Sequence, residues 1–130
     1  MEETYLIDTH CWLNWHINPD RLSPEQLQVM EDMENDIYFS TVSAWEINIK
    51  YRLEQIKLPS LPFRYIPSRI NKDGLKVLAF SLEHSLRIEN LPPHHNDPFD
   101  RLIIAQAQIG DMTILTNDKR FELYDVKIIT

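Results

Sequence analysis

Five short, largely apolar runs punctuate the chain: Tyr5-Leu6-Ile7, Ile37-Tyr38-Phe39, Leu75-Lys76-Val77-Leu78, Thr113-Ile114-Leu115-Thr116, and the stretch near 126–129. Longer segments with helical spacing separate them. Short strands alternating with helices bury both faces of a sheet and place successive strands side by side in parallel. The pattern predicts an α/β fold with a mostly parallel sheet of four to five strands and helices on both faces. At 130 residues the chain suits one domain, 1–130, with one core.

Helix boundaries are marked by local chemistry. Ser23-Pro24-Glu25-Gln26 reads as a helix start, with Ser23 as cap, Pro24 at the first helical position and Gln26 completing a capping box. Leu22 and Leu27 fit the accompanying hydrophobic staple, and that helix is expected to run to about Asn35. A helix over 41–54 carries an apolar stripe of Val42, Trp45, Ile49 and Leu53. Further helices are expected over 62–72, ending near Gly74, over 81–89, and over 98–109, capped by Asp97 and closed by Gly110. A short helical turn follows Asp118.

The strands tend to run into acids. Asp8 follows the first, Glu46 comes a short turn after the second, Asp118 follows the fourth, and Asp97-Pro98-Phe99-Asp100 opens the helix before that fourth strand. In a parallel sheet these positions share the carboxyl edge, where such folds bind ligands. Carboxylates gathered there repel one another unless a cation sits among them. Oxygen-only donors favour Mg²⁺, with Mn²⁺ also possible, over Zn²⁺.

Each acid also has a structural reading. Asp8 and Asp97 suit helix N-caps, Asp100 suits a first turn, Ser43-x-x-Glu46 matches a capping box, and Asp118 fits a turn after Asn117. Their joint convergence on one edge favours a site.

Composition narrows the alternatives. Lys and Arg number 13 against 20 Asp and Glu, a net charge of −7, which opposes bulk-charge binding to nucleic acid and is equally compatible with a local basic rim guiding a phosphate chain and with a basic protein partner. With only Gly74 and Gly110, neither glycine-rich phosphate loop can exist. The lone Cys11 excludes an internal disulfide and reads as a small buried thiol. With no leader-like start and no apolar run near ~18 residues, a cytoplasmic location is expected.

Leu6-Ile7-Asp8-Thr9-His10, Ser43-Ala44-Trp45-Glu46-Ile47, His95-Asn96-Asp97-Pro98-Phe99-Asp100-Arg101 with the following Leu102–Ala107, and Leu115-Thr116-Asn117-Asp118 stand in an order that resembles PIN-domain ribonucleases. Within these, the chain is most similar to VapC-type toxins of type II toxin–antitoxin pairs. The resemblance implies a three-layer α/β/α sandwich and a Mg²⁺-dependent endoribonuclease (Mn²⁺ possible) that hydrolyses RNA phosphodiester bonds with metal-activated water. It assigns Asp8, Glu46, Asp100 and Asp118 as the catalytic and metal-holding set. Asp97 would support them, and Thr116 would help orient the last acid or a water. It also implies a small antitoxin with a basic DNA-binding part, and a homodimer. A PIN-fold binding module for a basic partner, without turnover, and a DNA nuclease or other phosphodiesterase are the competing readings.

Other residues admit second readings. His94-His95-x-Asp97 has the ingredients of a zinc cluster but reads better as a polar loop. Trp45 is expected in the core, whereas Trp12 and Trp15 are expected at a subunit or antitoxin surface. Lys50, Arg52, Lys57, Arg64, Arg69 and Arg101 are candidate RNA phosphate contacts, though each taken singly reads as an ordinary solvated side chain; Arg101 has the best case because it adjoins Asp100.

Overall fold

A computed structural model describes residues 3–130. Five strands form one sheet: β1 (Thr4–Ile7), β2 (Asp36–Ser40), β3 (Lys76–Leu78), β4 (Thr113–Leu115) and β5 (Ile128–Ile129). Their order is β3-β2-β1-β4-β5, and every neighbouring pair is parallel. The helices are α1 (Thr9–Ile17), α2 (Pro24–Glu31), α3 (Thr41–Arg52), α4 (Pro62–Asp73), α5 (Leu82–Arg87) and α6 (Pro98–Gly110). Single 3₁₀ turns at Pro19–Arg21, Ile88–Asn90 and Lys119–Leu123 complete the pattern.

Strand alternation builds the layers. Tyr5, Ile7, Ile37, Phe39 and Leu115 point to one face and join Trp12, Leu13, Met30, Ile47 and Ile66 from α1 to α4. Leu6 and Ile114 point to the other and join Ile103, Ile104, Ala107, Phe121 and Tyr124. With a period of two, consecutive residues serve opposite cores, and the result is the expected α/β/α sandwich.

Register fixes what stands at the carboxyl edge. Ile7 lies opposite both Phe39 and Leu115, so the next residues, Asp8, Ser40 and Thr116, come level with one another. The chain builds outward from β1 to β2 and β3, then returns to place β4 against the other side of β1. The order therefore reverses between β1 and β4, the position where open parallel sheets form a ligand crevice.

Several boundaries differ from expectation. α2 stops at Glu31, because Asp32 leaves helical geometry (φ −79°, ψ 108°) and starts a turn. Gly110 is still helical, and the left-handed closing residue is Asp111, with φ 52°. β4 keeps Thr113–Leu115 of the run 113–116, and β5 only Ile128–Ile129 of the stretch near 126–129.

The tryptophans exchange places. Trp12 is fully buried and packs edge-on against Phe39 at 4.9 Å, whereas Trp45 is 57% exposed and touches Phe99 edge-on. Trp15 is half-buried and stacks on His16. The reason lies in α3. Its packed face holds Val42, Ser43, Glu46 and Ile47, rotated by about one residue from the stripe of large apolar side chains. Leu53, at the end of that stripe, is also exposed. Two polar residues on the buried face hid it from a reading based on hydrophobicity alone.

Candidate active site

Asp8 sits where β1 meets α1. Its Oδ1 accepts the Cys11 amide at 2.7 Å, as an N-cap does. Its Oδ2 accepts a short hydrogen bond from the Thr116 hydroxyl. Asp8 is 4% exposed, and burial holds its pKa above the ordinary carboxylate value despite both hydrogen bonds. Thr116 in turn accepts the Asp118 amide at 3.0 Å. One hydroxyl thus couples the acid after β1 to the acid after β4, a contact with the first acid beyond the role toward the last acid or a water that the family resemblance implied.

Asp118 caps the Lys119–Leu123 turn through the Arg120 amide at 3.0 Å. The Arg120 side chain also grips it, with Nη2 2.6 Å from Oδ2. That hydrogen bond is the main reason the Asp118 carboxyl titrates below its ordinary value. Asp97 caps α6 through the amides of Phe99 and Asp100 at 2.9 and 3.1 Å, the structural role expected of it. Glu46 is 2% exposed and receives Lys50 Nζ at 2.6 Å, an i,i+4 pair within α3. The capping-box reading of Ser43 and Glu46 is not realised. Ser40 is the cap of α3, and Ser43 is buried, accepting a hydrogen bond from Thr9 Oγ1 at 2.8 Å.

Asp100 ties the group together. Burial first, then Asp97, Asp8, Asp118 and Glu46 in turn, push its pKa up to about 7. Four acids, Asp97 from the same turn and three from other parts of the chain, therefore bear on this one carboxyl. Asp8, His10, Asp100, Asn117 and Asp118 line an open cleft of about 290 Å³ there. Glu46 is not part of that lining.

The cleft has an oxygen-rich wall and a carboxyl whose pKa is raised by burial and then by its acidic neighbours, a charge balance that a hard divalent cation would relieve. Among the described residues, no three acidic, histidine or cysteine side chains already form a closed ligand cage. An ion in this cleft would be held by one or two carboxylates and would need water to complete its shell, a mode Mg²⁺ accepts.

Sequence reasoning missed three contributors. His95 Nε2 lies 3.3 Å from Asp100 Oδ2, while His95 Nδ1 lies 2.7 Å from the Tyr124 hydroxyl. Burial, reinforced by Arg120, lowers the His95 pKa. Arg120 also reaches Asp100, at 3.6 Å. A basic residue two positions after Asp118 was the only local signal for Arg120; His95 and Tyr124 are 29 residues apart and meet only in the fold.

The candidate phosphate contacts change most. Arg101 does not face the cleft as a free cation. It donates to the carbonyls of Pro92 at 2.8 Å and Leu91 at 3.3 Å, and to the Tyr124 hydroxyl at 3.1 Å, pinning the loop before α6. Lys50 is engaged by Glu46, and Arg69 by Asp73. The zinc reading fails too: His94 packs edge-on against Tyr124, and His95 is committed to Tyr124 and Asp100. Cys11 is buried, as expected, and its thiol is pushed well above the ordinary range by burial and by Asp8. Among the described residues, no helix is long and apolar enough to cross a membrane.

Comparison with known proteins agrees with this architecture. Ribonuclease VapC16 of Mycobacterium tuberculosis is 34% identical over 61 residues, covering 47% of this chain and 43% of that protein. The chain thus spans less than half the length of this curated relative. The crystal structure of VapBC2 from Rickettsia felis, bound to a DNA fragment from their promoter, superposes with a TM-score of 0.70 at 18% identity, over 97% of both chains. A toxin–antitoxin complex from Klebsiella pneumoniae gives 0.63 at 17% identity, over 97% of this chain and 96% of that one. At such identities the structures speak for the fold alone. The PIN domain family model matches residues 5–127, nearly the whole sequence, and the chain belongs to the PIN domain family.

Proposed function

We propose that this protein is a divalent-metal-dependent endoribonuclease and the toxin half of a toxin–antitoxin pair. The observation that carries the reading is the convergence of Asp8, Asp100 and Asp118 on one cleft at the crevice between β1 and β4, with Asp97 and Glu46 near enough to act on Asp100. The partial match to a ribonuclease and the fold shared with toxin–antitoxin complexes support the same assignment.

In this reading Asp8, Asp100 and Asp118 hold Mg²⁺ or Mn²⁺ directly or through water, with Glu46 contributing from its buried position. A bound divalent cation supplies positive charge against the scissile phosphate and makes an attacking water more acidic. The residues of the chain supply position. Thr116 and the Cys11 amide keep both Asp8 oxygens oriented, and Lys50 holds Glu46. Arg120, 53% exposed at the rim beside Asp118 and Asp100, is placed to meet a phosphate once a cation relieves it of the carboxylates. The acidic surface suits a basic antitoxin segment, and a homodimer remains part of the proposal.

The test is cleavage of RNA with Mg²⁺, with EDTA, and by Asp8→Asn. The wild type is expected to cut in Mg²⁺ and not in EDTA. The variant should keep its fold by circular dichroism but lose cleavage. Full activity in the variant would remove Asp8 from the chemistry; no metal-dependent cleavage by the wild type would favour a binding module. Preference for DNA over RNA in competition would favour the DNA nuclease reading.

A further inference from the structure

A line of side chains outside the acidic set runs from Arg101 through Tyr124 and His95 to Asp100. Arg101 carries only donors, and its Nη1 lies 3.1 Å from the Tyr124 hydroxyl oxygen. That oxygen accepts from Arg101, so the phenol proton must turn to another acceptor. His95 Nδ1, at 2.7 Å, is the acceptor within reach. The ring proton of His95 then sits on Nε2 and is donated to Asp100 Oδ2 at 3.3 Å. The opposite tautomer would set a lone pair against a carboxylate oxygen. It would also leave a phenol proton without an acceptor on a residue only 4% exposed.

The line is held rigidly. Tyr124 packs edge-on against the His95 ring at 5.4 Å, and Phe121 lies 6.4 Å from the same ring. Arg101 also fixes the carbonyls of Leu91 and Pro92, which precede His95 in the same loop. Both the His95 and the Arg120 contacts with Asp100 fall on Oδ2, which leaves Oδ1 for another partner.

We propose that His95 is a positioning residue for Asp100, locked as the Nε2–H tautomer by Tyr124 and Arg101, so that Asp100 presents Oδ1 to a cation. The part concerning the cation rests on the function proposed above; the tautomer does not. A carboxylate turns easily about its last torsion, and a fixed donor on one oxygen removes that freedom before the ligand arrives.

The tautomer is read by ¹⁵N NMR of histidine-labelled protein at about pH 8, well above the usual imidazole value, in EDTA. The His95 signals are identified by their loss in His95→Gln. The expected result is a protonated Nε2 and an unprotonated Nδ1, with Tyr124→Phe giving a mixture of tautomers. An Nδ1–H ring in the wild type, or no change in Tyr124→Phe, overturns the proposal.

Mn²⁺ binding by calorimetry gives a second readout. Tyr124→Phe and His95→Asn should weaken Kd about 10- to 100-fold. His95→Gln, whose amide nitrogen replaces Nε2, should retain most of the affinity. Equal weakening in the Asn and Gln variants would mean that His95 only fills space. If the wild type showed the locked tautomer and tight Mn²⁺ binding yet cut no RNA, the functional assignment would fall and the positioning role would stand.

Discussion

Replacing Asp100 with Asn should strengthen the fold while removing the proposed activity. With its pKa pushed up to about 7, Asp100 is ionised at pH 8 against burial and four neighbouring acids. In the unfolded chain the same group ionises near the ordinary carboxylate value, so the folded protein binds the extra proton between about pH 4 and pH 7. Because the folded state holds more protons, stability falls as pH rises through that window, the reverse of an ion-paired Asp. The full gap corresponds to ~4 kcal/mol. The cleft is open and Arg120 lies nearby, so solvent screening reduces the expected effect to about 1–2 kcal/mol. Asn removes the charge and can still accept from His95. Urea unfolding in EDTA should therefore show Asp100→Asn more stable than wild type at pH 8, with the advantage shrinking toward pH 4. Saturating Mg²⁺ should stabilise the wild type and close the difference. A variant no more stable at pH 8, or an advantage independent of pH, would show that the acids do not repel one another through Asp100.

Three further outcomes follow from the contacts. Thr116→Val removes the hydroxyl shared by Asp8 and the Asp118 amide. It should cost about 1.5–3 kcal/mol in denaturant unfolding and depress RNA cleavage, whereas Thr116→Ser should preserve most of both. Lys50→Met leaves Glu46 buried without its cation; unfolding should be easier by about 1–3 kcal/mol, and a parallel Glu46→Gln, Lys50→Met double variant should recover much of that loss. Trp12→Ala should destabilise by about 3–5 kcal/mol, while Trp45→Ala, which loses only an edge contact with Phe99, should stay within about 1.5 kcal/mol; reversed sensitivities would contradict the packing.

The sheet and the acids were legible in the sequence because each depends on local order. A strand that ends in an acid puts the acid at the carboxyl edge, whatever the helices do later. Asp8, Asp97 and Asp118 also cap the elements that follow them, so their structural and proposed functional readings were never exclusive. The orientation of α3 was not legible in this way. Its buried face includes Ser43 and Glu46, and a reading by hydrophobic period turns such a helix toward Trp45. The partners of Lys50 and Arg101 were hidden for a related reason. A cation in a sequence shows its charge but not its partner, and these two are taken by Glu46 and by loop carbonyls.

The register of three strands explains why the site assembles at all. Ile7, Phe39 and Leu115 are level across β2, β1 and β4, so the residues after them stand level at the carboxyl edge, Ser40 as the last residue of β2. Ser40 uses that position to cap α3 and thereby sets where Glu46 falls in the helix's second turn. Asp8 and Thr116 use it to meet directly across the β1–β4 reversal. A one-residue slip of β4 against β1 would separate Thr116 from Asp8 and turn Ile114 and Leu115 each toward the wrong core. The apolar alternation that selects the register is therefore the same property that brings the carboxylates together, and the repulsion among them is set by packing energy spent elsewhere in the sheet. This is why a stabilising change is expected at Asp100 and not at the hydrophobic positions that flank the strands.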